Sequence, residues 1–147
     1  MTNHLQRIFS EIPERYELVN HALTFGLDVL WRRALAARTA AVERGAPRVL
    51  DMCTGTGETA AYALRRLGPG ALVVGADFTV PMMAEGRRRR GRAEIAFVAA
   101  EATALPFPDG TFDAVTISFA TRNLNVTRED LLAAFREFRR VLKPGGV

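Results

Sequence analysis

The residues best suited to chemistry stand near the middle of the chain: Asp51, then Cys53-Thr54-Gly55-Thr56-Gly57, then Asp77. Asp51 closes an apolar run and leads into the glycine loop, which is followed directly by a helical segment. In doubly wound sheets a ligand lies beyond the carboxyl ends of the strands, where glycines let it approach the backbone closely. Gly55 and Gly57 fit that use. Asp77 ends the next apolar run, where a carboxylate can accept hydrogen bonds from both hydroxyls of a ribose. Loop and acid together point to an adenosine ligand, whereas alone the loop is as consistent with a tight turn and Asp77 with a helix cap. A dinucleotide loop calls for G-x-G-x-x-G, and Ala60 follows Gly57 where the third glycine would stand. There is no P-loop lysine either, so phosphoryl transfer has no support.

Positioning these residues requires a parallel sheet with helices on its faces. From Arg48 onward, apolar runs of strand length alternate with longer amphipathic segments, the pattern of an α/β fold. Strands are expected at 48–53 (RVLDMC), 71–76 (ALVVGA), 95–99 and 112–119. A helix over 58–67 should stop at Gly68-Pro69-Gly70, and a second, capped by Thr79 with Pro81 early, should run to about Arg90. Thr127 and Asp130 resemble a capping box opening a helix to about Leu142, stopped by Lys143-Pro144-Gly145-Gly146. Before the sheet, 8–44 reads as two or more helices with Leu18, Leu23, Leu27, Leu30 and Leu35 on apolar faces. The expected division is a helical segment or lid over 1–44 and a nucleotide-binding domain over 45–147. Phe25 and Trp31 are read as core aromatics, with presentation to a ligand by a lid as the alternative; Phe107 and Phe112 anchor a loop to the core.

Composition narrows the class. The 147 residues are 48% hydrophobic and 24% charged, ordinary for one globular domain. No apolar stretch approaches the roughly 20 residues of a membrane span, and the first residues lack the apolar core of a signal peptide. A cytoplasmic protein is therefore expected. One cysteine, Cys53, and two histidines, His4 and His21, give neither an intrachain disulfide nor a zinc set, so no metal is expected. Cys53 reads as a packing residue and His21 as a surface or packing one. The net charge of +4 is concentrated at Arg87, Arg88, Arg89, Arg90 and Arg92. That run could draw an anionic membrane surface or nucleic acid, but it lacks interleaved aromatics and reads more simply as a solvated helix face. No nucleic-acid partner is expected.

The stretches VLDMCTGTGE, GADF, EATALPFPDGTFD, SFATRN and RVLKPGG, in that order, resemble the motif series of class I S-adenosylmethionine-dependent methyltransferases. Tyr16-Glu17-Leu18-Val19-Asn20, with Leu23-Thr24, Leu27, Trp31 and the Arg122-Asn123 pair, is similar to a signature of the ubiquinone/menaquinone C-methyltransferases. Glu17 departs from a usual aspartate and Asp28 from a histidine. The resemblance implies a Rossmann-like sheet lacking its C-terminal strands, because the chain stops at Val147, where a fifth strand would begin. An uncovered sheet edge invites pairing, and a homo-oligomer would cover it.

The same resemblance implies S-adenosyl-L-methionine as cofactor, held by Asp51, Gly55, Thr56, Gly57, Asp77, Glu101, Ala102 and Ser118. Asp77 would take the ribose and Glu101-Ala102 the adenine. Arg122 and Asn123 would act near the reacting carbon of a prenylated quinol, with peripheral contact at the inner face of a membrane. Arginine is a poor base, its pKa exceeding ~12, so Arg122 is expected to hold a phenolate or an activated water by charge. The alternatives are a methyltransferase for another small molecule and a catalytically silent cofactor-binding module; a dinucleotide oxidoreductase is disfavoured by the glycine spacing.

Overall fold

A computed structural model describes residues 21–40, 45–89, 91–120 and 127–147. Among these residues the elements follow in the order α1 (Leu27–Ala40), β1 (Arg48–Met52), α2 (Glu58–Leu67), β2 (Leu72–Asp77), α3 (Val80–Arg88), β3 (Ala96–Ala99), β4 (Ala114–Ile117) and α4 (Arg128–Val141). The strands form one parallel sheet in the order β3-β2-β1-β4, with Asp51 of β1 facing Gly75 of β2 and Thr116 of β4 in register. The chain therefore leaves β1 toward β2 and β3 on one side and returns to β4 on the other. Loops diverge at that reversal and open a crevice at the strand ends.

Both faces of β1 and β2 are covered, which is why they read as continuous apolar runs. Side chains alternate across the sheet. Leu50, Met52, Val74 and Ala76 pack with Phe112, Ala134, Phe138 and Val141 on one face, while Val49, Val73 and Ala114 pack with Ala60, Ala61, Met83, Ile95 and Phe97 on the other. The edge-on contact of Phe107 with Phe112, at 5.0 Å between ring centres, secures the loop before β4.

Several boundaries move for identifiable reasons. β4 spans only Ala114–Ile117, because Phe112 bridges to Leu142 and Phe119 turns away with φ 60°. α3 stops at Arg88 because Arg89 is extended and its N–H bonds back to Gly86. Thr79 occupies the N-cap of α3 without a side-chain capping bond; the Asp77 carboxylate takes the Thr79 N–H instead, at 2.8 Å. Thr127 does cap α4, accepting from the Asp130 N–H and donating to its carboxylate.

The leucines expected on buried faces before the sheet are turned outward: Leu23, Leu27 and Leu30 are exposed, as are Phe25 and Trp31, which are not core aromatics. The buried face of α1 is Asp28, Arg32, Ala36 and Thr39, four positions on one side of the helix. Past α4, both Asp113 carboxylate oxygens bind Lys143 Nζ, at 2.9 and 2.8 Å, and one also takes the Arg48 N–H. The last residue lies along the outer edge of β4, with Val115 N–H donating to the Val147 carbonyl and Val147 N–H to that of Asp113.

Candidate functional site

The crevice at the ends of β1, β2 and β4 is built on two carboxylates with different surroundings. Asp51 is fully enclosed, and its oxygens accept from the Thr54 and Thr116 hydroxyls at 2.7 Å each. It thus fastens the glycine loop to β4 from inside the sheet. Burial pushes its pKa up from 3.8 to about 6, against those two hydrogen bonds and the more distant Arg32 charge. Because the folded value is raised, the native state binds more protons than the unfolded chain between about pH 4 and 6, and stability falls as pH rises through that window. Asp51→Asn should abolish this fall. The stability difference, variant minus parent, is expected to grow by about 2–3 kcal/mol from pH 4 to pH 7 in urea titrations. A flat difference would mean that Asp51 ionises as it does in the unfolded chain.

Asp77 is buried at the end of β2, and each of its oxygens accepts one backbone N–H at 2.8 Å: Gly55 on one side, Thr79 on the other. It therefore serves the loop and the start of α3 at once, although Thr79 rather than Asp77 is the N-cap of that helix. Burial raises its pKa despite these bonds. Two acceptors on a carboxylate leave lone pairs for a further donor pair such as a diol.

The loop follows a path that needs glycine. Gly55 and Gly57 have φ of 56° and 80°, and a Cβ at Gly57 would stand 2.7 Å from the Phe97 ring. Cys53 also adopts a positive φ, 56°, and is only partly buried. Burial, with the Asp77 and Asp51 charges, pushes its thiol up to about 12, so it stays protonated and inert. Thr56 is buried, and its carbonyl accepts from Arg92 Nη1 at 2.8 Å.

That bond changes the meaning of the arginine run. Arg92 is buried beneath the loop, Arg87 donates to the Phe97 carbonyl and lies over the Phe97 ring, and Arg89 pairs with Glu85. Of the run's described members, Arg87 and Arg88 are exposed, Arg88 with 79% of its side chain open to solvent. Arg92 thus supports the loop, while Arg87 and Arg88 keep a basic face in contact with solvent.

Ser118, just after β4, shares a hydrogen bond of 2.6 Å with Thr59 at the start of α2. Glu101 is exposed and Ala102 buried, in a tight turn bridging Glu101 to Ala104 beyond β3. The predicted residues Asp51, Gly55, Thr56, Gly57, Asp77 and Ser118 thus come together around one loop, with Glu101 and Ala102 beyond the neighbouring strand. Arg122, Asn123 and the 16–20 motif lie outside the described residues.

One constellation was not read from the sequence. His21, Asp28 and Glu58, scattered along the chain, bring ligand-type atoms within 4.8 Å of one another. The Arg32 guanidinium is lodged among them, 3.6 Å from Asp28, 3.2 Å from Glu58 and hydrogen-bonded to Thr59 at 2.8 Å. It supplies the positive charge a metal would otherwise bring. Burial alone would raise the Asp28 pKa, but hydrogen bonds from Thr24 and His21 and the nearby positive charges bring it below its ordinary value. No sequence spacing links these residues; the spacing of Asp28 and Arg32 by one helical turn was the only available sign.

Residues 1–147 match the ubiE/COQ5 methyltransferase family. A demethylmenaquinone methyltransferase of Thermus thermophilus is 51% identical over 142 residues, which cover 95% of this chain and 61% of that protein. The ubiquinone/menaquinone biosynthesis C-methyltransferase UbiE of Geobacter sulfurreducens is 42% identical over 97% of this chain and 55% of its own length. Among solved structures, the S-adenosylmethionine-bound amino pentose methyltransferase CalS10 of Micromonospora echinaspora superposes with a TM-score of 0.65 at 28% identity, covering 78% of this chain and 46% of that one. The chain spans little more than half the length of the curated relatives it matches.

Proposed function

The chain belongs to the ubiE/COQ5 methyltransferase family, and from that premise we propose that it binds S-adenosylmethionine and contributes that site to C-methylation of a quinol in menaquinone or ubiquinone biosynthesis. The observation that carries the proposal is the Gly55 N–H held by Asp77 across the ends of β1 and β2, next to the point where the strand order reverses. The donor set suits an adenosine: a carboxylate with lone pairs to spare stands beside backbone that carries no Cβ at Gly55 and Gly57.

When bound, S-adenosylmethionine supplies a sulfonium methyl group to an electron-rich carbon. Asp77 would take the ribose hydroxyls, Gly55, Thr56 and Gly57 would line the approach, Glu101 and Ala102 would receive the adenine, and Ser118 would add a further contact after β4. Asp51 holds the loop from within. Arg122 would hold the acceptor's phenolate or an activated water by charge and Asn123 would orient its ring, while the phenolic proton must reach a base directly or through one water. Most of the rate enhancement then comes from alignment and exclusion of water. No helix among the described residues is long and apolar enough to cross a membrane.

Calorimetric titration with S-adenosylmethionine tests the site. Parent chain should bind, and Asp77→Ala should bind about 10–100-fold more weakly through loss of charge-assisted hydrogen bonds. A folded parent that takes up no S-adenosylmethionine would rule the site out.

A further inference from the structure

Beside the cofactor crevice lie two aromatic rings that the cofactor reading does not use. Phe119 follows Ser118 at the exit of β4, with φ 60°, a left-handed conformation that bulky side chains rarely adopt and that persists only where the surroundings impose it. Those surroundings are on hand. The Ser118 hydroxyl is tied to Thr59, and the Arg32 guanidinium lies 4.7 Å from the Phe119 ring centre. Arg32 is itself buried and fixed by Thr59 and Glu58. Trp31, on the next position of α1, meets Phe119 at 5.9 Å with the rings inclined by 34°. Yet both rings remain open to solvent, Trp31 53% and Phe119 40% exposed. Two large apolar rings in contact with each other and left open to solvent at the edge of a ligand crevice are a feature of binding surfaces rather than of packing.

We propose that Trp31 and Phe119 form the platform on which the flat ring of the methyl acceptor, a benzoquinol or naphthoquinol, is held. The proposal rests on the methyltransferase reading above and adds the residues that receive the acceptor. A planar, electron-rich ring gains from offset or inclined stacking on aromatic faces. The platform adjoins Ser118 and the start of α2, so a ring lying there is beside the cofactor rather than remote from it. Arg32 acts as a positioning residue, fixing Phe119 from beneath.

Trp31 is the only tryptophan, so its emission reports on the platform directly. The chain, saturated with S-adenosylhomocysteine, is titrated with a tail-less 1,4-naphthoquinone, which quenches a stacked indole. Saturable quenching is expected, with an apparent Kd at least about tenfold weaker in Phe119→Gly. That substitution removes the ring while suiting the positive φ, so the variant keeps its fold and its calorimetric affinity for S-adenosylhomocysteine. Quenching that rises linearly without saturation, or an unchanged Kd in Phe119→Gly, overturns the platform. Saturation by farnesol but not by the naphthoquinone assigns the face to a tail and overturns it as well, as does parent emission that shifts on dilution, the sign of a second copy covering the rings. Nucleoside binding without naphthoquinone binding leaves the methyltransferase reading standing and removes the platform. Naphthoquinone binding lost in Phe119→Gly, without nucleoside binding, does the reverse.

Discussion

Arg32→Ala is expected to cost about 3 kcal/mol of folding stability, read as a lower urea midpoint at unchanged slope. The guanidinium is 7% exposed and stands between two acids, with the Asp28 side chain wholly enclosed. Removing one member of a buried ion cluster typically costs about 3–5 kcal/mol, because the remaining charges lose their partner without regaining water. The low end applies here, because His21, itself partly exposed, still faces Asp28 and Glu58. Arg32→Lys should recover only part of the loss. An ammonium can neutralise the acids but cannot also donate to Thr59 and lie flat against Phe119. Parent-like stability of Arg32→Ala would mean that α1 is held by packing alone.

Gly86→Ala should be nearly as damaging, although alanine is the better helix former. Gly86 lies within α3, where glycine costs about 1 kcal/mol relative to alanine, so propensity alone predicts stabilisation. A Cβ there would stand 2.4 Å from the Thr56 carbonyl oxygen and 3.0 Å from the Phe97 ring. The closest obstacle is backbone of the glycine loop, itself gripped by Arg92, and cannot rotate away as a side chain could. Overpacking costs about 1–3 kcal/mol and the upper end is expected, leaving a net loss of about 2 kcal/mol. S-adenosylmethionine affinity should fall too, because Thr56 sits in the loop that is displaced. Gly45→Ala, with nothing within 4 Å of its added Cβ and no positive φ, is the matched control. If both variants melt alike, close approach of α3 to the loop is not what Gly86 provides.

The parallel sheet was legible in the sequence because its signal is local. Buried strands such as 48–52 are continuous apolar runs, and glycine or proline punctuates the helices between them. The loop and Asp77 were legible for the same reason, since a strand end followed by glycines dictates where a ligand can approach. The N-terminal helix was misread because its periodicity gives two candidate faces. Leucines at 23, 27 and 30 made the outward face look buried, while the face that packs carries Asp28 and Arg32. A buried charge is invisible to a hydrophobic pattern until its partner is known, and that partner, Glu58, belongs to another helix.

The amino-acid sequence by itself determined the order of strands and helices, the glycine loop with its acid, and the family. These depend on residue types at fixed short spacing. Tertiary structure alone decided which charges are structural and which rings are available. It gave Arg87 and Arg92, read from the sequence as part of a solvated helix face, bonds to β3 and the loop, gave both Asp77 oxygens backbone partners, gathered His21, Asp28, Arg32 and Glu58 into one cluster, and left Trp31 and Phe119 uncovered beside the crevice. Each of these depends on contacts between residues far apart in the chain. Burial and pairing set the free energy of a charge or an aromatic ring, and both are properties of the folded neighbourhood rather than of the residue.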